Sequence, residues 1–548
     1  MVSGRSGVRF PRGVMSFNPT DSLRRQVAEL LVVRASGHLN DHQRRYPRWE
    51  LTNRDLQRLL ADGVGGVILL GGSAVELQQR TQQLCSWSAN SLLLCADVEE
   101  GVGQRFEGAS WLVPPLAIGR LHQRQPELAI NLAERYGNTT ALQARRCGLN
   151  WVLGPVCDVN NNPANPVINV RAWGEDPARA SVLAAAFQRG LQAGGVLGCA
   201  KHFPGHGDTS SDSHLDLPVL PHSRERLEQV ELPPFRELIA AGVDSVMTAH
   251  LLLPSLDPEH PATLSRRVLT DLLRTDLGYE GLVVTDALVM EAISARHGAA
   301  EAAVLAFEAG ADLILMPADA DAAIEGVCEA LQTGRIPMQR LQESRERRRS
   351  ALHKVMAHTP AGPIASAEDQ ALETELVAHS IDICGPRIAP PSQGINLVRV
   401  DAVLPGAPAL SGWSPALQVP AAHGFRTVLV HGQGVSPWSD QPDAPLALDR
   451  LGDGPVLLQL FLRGNPFRAG QDSQEPWAAV IEQLTTADRL AGLVIYGSPY
   501  RWEHLQPLLP PNLPAAYSAG QMPEAQHQVL KALFPENSNT GPDGAFTD

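Results

Sequence analysis

No Cys-x-x-Cys pair occurs anywhere in the chain, and its seven cysteines (85, 95, 147, 157, 199, 328 and 384) are scattered and odd in number. That pattern disfavours a disulfide scaffold and a thiolate zinc site. Cysteines such as Cys95 and Cys199, set among apolar residues, read as small core side chains. Positive charge is in deficit: 45 Lys and Arg stand against 59 Asp and Glu, a formal net charge of −14. The balance argues against nucleic acid or an anionic membrane surface as partner, since both call for a basic stripe. No apolar run is long enough to read as a transmembrane helix, and none near the N-terminus reads as a secretory signal. The expectation is a cytoplasmic protein without membrane contact, with residues 1–14 unstructured and Met15 an alternative start. Also missing are a His-Glu-x-x-His pair, a Gly-x-Gly-x-x-Gly after an early strand, and any internal repeat of roughly 20–50 residues.

What is present is ample core. The chain has 548 residues, 44% hydrophobic and 19% charged, which is long for one domain and implies two. Continuous apolar stretches recur at Leu30–Val33, Gly66–Leu70, Leu92–Ala96, Leu149–Leu153, Val196–Ala200, Ser245–Thr248, Gly281–Val284 and Asp312–Met316. Helical spacing fills the gaps, as at 127–147, 178–194 and 224–242. Strands apolar on both faces imply a covered parallel sheet, and eight such units predict a (β/α)8 TIM-like barrel over residues 16–355. An open doubly wound sheet is the alternative. Residues 356–385 read as a linker, and the arginine run 345–349 as the solvated face of a helix. Residues 386–535 form a smaller α/β domain with strands near 395–400, 427–430, 456–462 and 492–496 and helices near 475–485 and 523–533. The tail 536–548 is expected to be disordered.

Ionisable residues gather where these strands end. Asp97 follows the third strand, Asp158 the fourth, His250 the sixth and Asp286 the seventh. The fifth runs into Lys201-His202-Phe203-Pro204-Gly205-His206-Gly207-Asp208, with Asp212-Ser213-His214 close behind. Three readings of that run are open: metal ligands, acid/base groups or a solvated loop. Pro204 and Gly205 between His202 and His206 weigh against a helical metal pair, and the metal reading is set aside. Asp286, at the exit of a buried strand, suits a rigid ionised nucleophile. Asp212 and His214 alternate with a small residue, so an extended loop can bring both into contact. The aspartate would then orient the imidazole as a general acid/base near neutral pH.

The runs Asp97-Val98-Glu99-Glu100-Gly101 with Arg105, Gly154-Pro155-Val156-Cys157-Asp158-Val159-Asn160 and Arg171-Ala172-Trp173-Gly174-Glu175-Asp176-Pro177 add to this picture. So do Lys201–Asp208 with Asp212-Ser213-His214, Met247-Thr248-Ala249-His250, Pro261–Ser265 and Gly281–Met290. Together they resemble family 3 glycoside hydrolases, in particular the bacterial β-N-acetylglucosaminidases of the NagZ type. The resemblance implies a barrel followed by a smaller αβα sandwich domain and retention of anomeric configuration; no cofactor or metal is expected. It implies Asp286 as nucleophile and His214 with Asp212 as acid/base dyad. Asp97, Arg105, Arg171, Lys201 and His202 are implied as binders of a terminal GlcNAc. The expected substrate is a GlcNAc-terminated saccharide or muropeptide, released during peptidoglycan recycling. A family 3 β-glucosidase or a β-GlcNAc phosphorylase is the alternative; a silent sugar-binding protein would require loss of Asp286 or His214, and both are present. Two departures stand out. Glu100 replaces the family's usual second glycine, adding a carboxylate near the Asp97 loop, and Thr285 replaces a commoner serine.

Overall fold

A computed structural model describes residues 22–209, 217–294, 296–356, 358–400, 409–430, 436–441, 444–463 and 475–535. Eight short parallel strands follow one another: β1 (Leu31–Ser36), β2 (Gly66–Leu70), β3 (Leu93–Ala96), β4 (Trp151–Val152), β5 (Cys199–Phe203), β6 (Ser245–Thr248), β7 (Leu282–Val284) and β8 (Ile314–Leu315). The hydrogen-bonded order is β4-β3-β2-β1-β8 in one sheet and β5-β6-β7 in another. Parallel bridges Trp151↔Leu197 and Val284↔Leu313 join the two sheets at both seams and close the ring. This is the expected barrel.

The strands form here because they are apolar on both faces: every residue of β3, β5, β6 and β7 is buried. The outer helices start at side-chain caps. Thr52, Ser73, Asp176 and Asp319 each accept a hydrogen bond from the backbone N–H three residues on, which satisfies one of the otherwise orphaned donors of a helix start. Helices Pro126–Arg146 and Pro177–Gly194 pack backbone to backbone. A Cβ on Gly137 would fall 2.1 Å from the Phe187 carbonyl oxygen, so only glycine fits there.

Two expectations change. The helix read over 224–242 is two, Arg224–Gln229 and Pro233–Ala240, because Pro233 and Pro234 cannot continue the first. The arginine run on helix Met338–Lys354 is not simply solvated. Arg345 and Arg348 both pair with Glu29, and Arg347 reaches the buried Asp312, which Arg274 and Arg340 also hold. Arg348 is fully buried and also donates to the carbonyls of Gly65 and Ser91. Helical spacing located that helix but could not show that carboxylates and carbonyls at the barrel floor were waiting for its cations.

Two compact units are distinguished by their contacts, one centred on Met1–Glu373 and the other on Thr374–Asp548. The second holds a six-stranded sheet ordered β11-β10-β12-β13-β14-β9. Its strands are β9 (Ile381–Cys384), β10 (Gly394–Arg399), β11 (Phe425–Val430), β12 (Val456–Leu462), β13 (Leu490–Gly497) and β14 (Ala515–Ser518). All pairs are parallel except β14 with β9. β9 lies inside the stretch read as a linker, so residues 381–384 are part of this sheet's edge. Helices Trp477–Thr486 and Pro523–Leu533 lie close to the expected positions. The tail 536–548 falls outside the described residues.

Candidate active site

The C-terminal ends of the barrel strands carry the polar groups. β5 continues through Phe203 rather than stopping at Ala200, so Lys201 and His202 are strand residues, not loop residues. The β5/β6 register shifts between Ala200 and Phe203 at that point. Beyond it, Gly207 lies so close to the β4 exit that a Cβ would fall 1.8 Å from the Val159 carbonyl oxygen. This contact holds the β4 and β5 exits together.

Three of the expected sugar binders, Asp97, Arg171 and Lys201, are joined into one charged network with Glu99, a residue that had been given no role. Glu99 accepts two hydrogen bonds from Arg171, Nε to Oε2 at 2.8 Å and Nη2 to Oε1 at 2.9 Å. Lys201 Nζ stands 2.6 Å from Glu99 Oε1 and 2.8 Å from Asp97 Oδ1. Burial alone would raise the Glu99 carboxyl, but the charges of Arg171 and Lys201 outweigh it and hold it well below the usual carboxylate range. Burial would likewise lower Lys201, yet Asp97 and Glu99 leave it above its ordinary value. Glu99, Arg171 and Lys201 therefore hold one another in their charged forms. Exposure divides the network's carboxylates: the Asp97 side chain is 38% exposed, against 5% for Glu99. Glu99 spends both oxygens on protein cations, whereas Asp97 is anchored by Lys201 and still faces solvent. Arg105 closes this corner by donating Nε to the Asp97 carbonyl oxygen at 2.9 Å.

Asp158 organises the other side. Its carboxylate is buried, 2.7 Å from His202 Nδ1, and accepts from the His202 and His206 backbone N–H groups. Burial raises the Asp158 carboxyl, but His202 and the hydrogen bonds bring the net below the ordinary value. Arg171 Nη2 lies 3.4 Å from His202 Nε2. A guanidinium can only donate, so this contact assigns the His202 proton to Nδ1, facing Asp158. His206 turns instead to Thr209 Oγ1, 2.7 Å from Nδ1, and burial pushes it down to about 4. The two imidazoles, 6.2 Å apart between centroids, thus serve different partners. Among the described residues no group of three or more His, Cys, Asp or Glu is placed to hold a metal ion.

Asp286 leaves β7 two residues beyond Val284. Its backbone N–H donates to Thr248 Oγ1 at 3.3 Å, and its Oδ1 accepts from the Ala287 N–H at 2.7 Å. Thr248 is fixed in turn by Thr263 Oγ1 at 2.7 Å, which also meets His250 Nδ1 at 2.8 Å. His250 Nε2 lies 3.0 Å from the Ala287 carbonyl oxygen, so the turn carrying Asp286 is held from both sides. The preceding Thr285 is fully buried and accepts from the Leu315 N–H at 2.9 Å, tying β7 to β8. Asp97 and Asp286 also act together on Cys199: burial pushes this thiol up to about 12, with Lys201 opposing and both aspartates adding to the rise.

Asp212 and His214 lie outside the described residues. The extra carboxylate at Glu100 is 1% exposed and accepts from the Trp111 indole N–H at 3.0 Å, so its charge is engaged inside the loop. Glu99, Asp158, Thr248 and Thr263 are the supporting residues that motif reading left without roles. One signal was readable: Asp97 and Glu99, two apart at a strand exit, share a face, so the second carboxylate was placed to share a cation with the first.

Residues 22–350 match the glycosyl hydrolase family 3 N-terminal domain and residues 387–535 the bacterial glycosyl hydrolase family 3 C-terminal domain. The chain is 37% identical over 271 residues to a beta-hexosaminidase of Stenotrophomonas maltophilia, covering 49% of this chain and 80% of that protein. It is 37% identical over 273 residues to beta-hexosaminidase A of Pseudoalteromonas piscicida, of whose length it spans 45%. A family 3 beta-N-acetylglucosaminidase from Paenibacillus sp. superimposes with a TM-score of 0.75 at 28% identity, covering 93% of this chain and 96% of that one.

Proposed function

The chain belongs to glycosyl hydrolase family 3, and on that premise we propose that it is a retaining exo-β-N-acetylglucosaminidase removing terminal non-reducing GlcNAc. The observation that carries this reading is the convergence at one barrel rim of the Asp97–Glu99–Arg171–Lys201–His202 network and the rigidly held Asp286. Asp97, Arg105, Arg171, Lys201 and His202 bind the sugar. Asp97 offers its exposed carboxylate to hydroxyl groups, while Arg171, Lys201 and His202 surround the ring from a preorganised frame. The Asp286 carboxylate attacks the anomeric carbon as the bond to the leaving oxygen breaks, and His214, oriented by Asp212, donates the proton to that oxygen. A water molecule then gives a proton to His214 and attacks the same carbon, releasing GlcNAc with its β configuration and regenerating Asp286. The natural substrate on this reading is a muropeptide handled during peptidoglycan recycling in the cytoplasm. No helix among the described residues is long and apolar enough to cross a membrane.

The test is release of nitrophenol from matched β-GlcNAc and β-glucose glycosides, with and without added phosphate. A preference for the GlcNAc glycoside independent of phosphate is expected. Preference for the glucoside would overturn the substrate assignment, and turnover that requires phosphate would replace hydrolysis by phosphorolysis.

A further inference from the structure

The chain between the β5 exit and helix Arg224–Gln229 is pinned at both of its ends, and one contact ties those ends to each other. At the near end, Asn165 donates from Nδ2 to the carbonyl oxygens of His206 and Gly207 at 2.9 and 2.8 Å, and to Thr209 Oγ1 at 3.4 Å. Its Oδ1 accepts from the Val167 and Ile168 N–H groups, so the buried amide is itself held rigidly. At the far end, Leu252, beyond β6, grips the returning chain. Its carbonyl oxygen accepts from the Leu220 N–H and its own N–H donates to the Pro218 carbonyl oxygen, both at 2.9 Å.

Asp208 and His222 join the two ends. His222 Nε2 stands 3.0 Å from Asp208 Oδ2. An ionised carboxylate only accepts, so Nε2 carries the proton. His222 immediately precedes Ser223, whose hydroxyl caps helix Arg224–Gln229 by accepting from the Arg226 N–H. Its carbonyl oxygen accepts from the Ser255 hydroxyl. Backbone and ring are therefore both fixed. Arg226 backs the pair: its Nη2 lies 3.6 Å from Asp208 Oδ2 and 3.3 Å from Glu231 Oε1. Glu231 packs in turn against Gly205, where a Cβ would fall 2.8 Å from the Glu231 Cβ. The His222 and Asp208 side chains are 21% and 27% exposed. A pair this wet adds little to global stability; its consequence is where it fixes the chain.

Asp212 and His214 lie in sequence between Asp208 and His222. We infer that the Asp208–His222 pair, backed by Arg226, positions the acid/base dyad by fixing both chain ends from which Asp212 and His214 reach the leaving oxygen. The inference rests on the proposed GlcNAc hydrolysis and assigns positioning residues to its proton transfer. Without the pair, the ends keep Asn165 and Leu252 but lose the contact that sets their separation. A misplacement of about 1 Å is enough to cost about 100-fold. The loss falls on the step that needs the proton, because the sugar network and the Asp286 turn have their own anchors.

The experiment reads kcat/KM on the full chain for two glycosides. Dinitrophenyl β-GlcNAc has a leaving group that departs without a proton; phenyl β-GlcNAc has one that needs it. His222→Phe keeps a ring and removes the donor. It should lower kcat/KM about 10- to 100-fold on the phenyl glycoside and less than about twofold on the dinitrophenyl one. The ratio is taken on one preparation, so it does not depend on how much of the variant folds. His222→Gln, whose amide N–H can reach Asp208, should restore most of the phenyl activity. In a His214→Ala background, His222→Phe should cause no further loss, because the group it positions is gone. An equal loss on both glycosides, no loss on either, or a further loss in the His214→Ala background overturns the inference. Failure of the underlying reading shows separately. Wild-type protein inert toward both glycosides refutes the GlcNAc assignment, and an equal loss on both in His214→Ala alone refutes the acid role; either result removes the inference with it.

Discussion

Glu99→Gln is the most informative single change at the sugar network. The substitution keeps volume and shape but removes a charge that meets Arg171 at 2.8 and 2.9 Å and Lys201 at 2.6 Å. The new amide N–H₂ also has to face a cation, because both carboxylate oxygens are now used as acceptors. Arg171 then loses both charged contacts, and Lys201 keeps only Asp97. Breaking a buried ion cluster by deleting one partner costs about 3–5 kcal/mol, because charges are left uncompensated away from water. Denaturant unfolding of the full chain, followed through the buried Trp151 and Trp173, should register that loss in the barrel transition. The double variant Glu99→Gln/Lys201→Met should be less destabilised than the two singles combined, by about 1–3 kcal/mol. The pH dependence supplies a sign. Glu99 is held well below its unfolded value of 4.5, so its stabilisation is present above that value and is lost as pH falls toward the folded value; the variant should lack this acid limb. A loss under about 1 kcal/mol, with the double variant fully additive, would refute the claim that this cluster is dry and tightly coupled.

Three further outcomes are expected. Thr248→Val removes the acceptor for the Asp286 N–H and should lower kcat about 10- to 100-fold with KM little changed, measured with nitrophenyl β-GlcNAc. His206 is depressed from 6.5 to about 4 by burial. Between those values the unfolded chain binds the proton and the folded chain does not, so stability should fall as pH drops, by about 3 kcal/mol in all. Unfolding at a series of pH values should show that slope in the wild type and its absence in His206→Gln. His214→Ala should lose most activity toward glycosides with poor leaving groups and least toward those that need no protonation; a uniform loss across the series would remove His214 from the acid role.

Much of this architecture was legible because barrel strands are apolar on both faces and therefore stand out as runs. All eight, and four of the six strands of the second sheet, fall where such runs occur. The two missed strands, Ile381–Cys384 and Ala515–Ser518, are four residues long, and the first has a half-exposed edge pattern that a run-based reading cannot see. The end of β5 was misplaced for a related reason. Lys201 and His202 look like loop residues by charge, yet Asp97, Glu99 and Asp158 on neighbouring strand exits make their burial possible. Pairing across sequence distance is what motif reading lacks, and it is the same reason that Glu99, Asp158 and the buried Arg348 had no assigned partners. Glu100 shows the converse. A carboxylate that looked like an intruder beside the sugar site is taken up locally by Trp111.

The central claim, a covalent intermediate on Asp286, is tested most directly by trapping it. The full chain is incubated with a fluorinated GlcNAc-type donor whose intermediate breaks down slowly, digested and mapped by mass spectrometry. The account predicts one sugar adduct, on the peptide containing Asp286, absent when the same experiment is run on Asp286→Asn. An adduct on Asp97, Glu99 or another carboxylate, or turnover of the donor by Asp286→Asn at the wild-type rate, would contradict it.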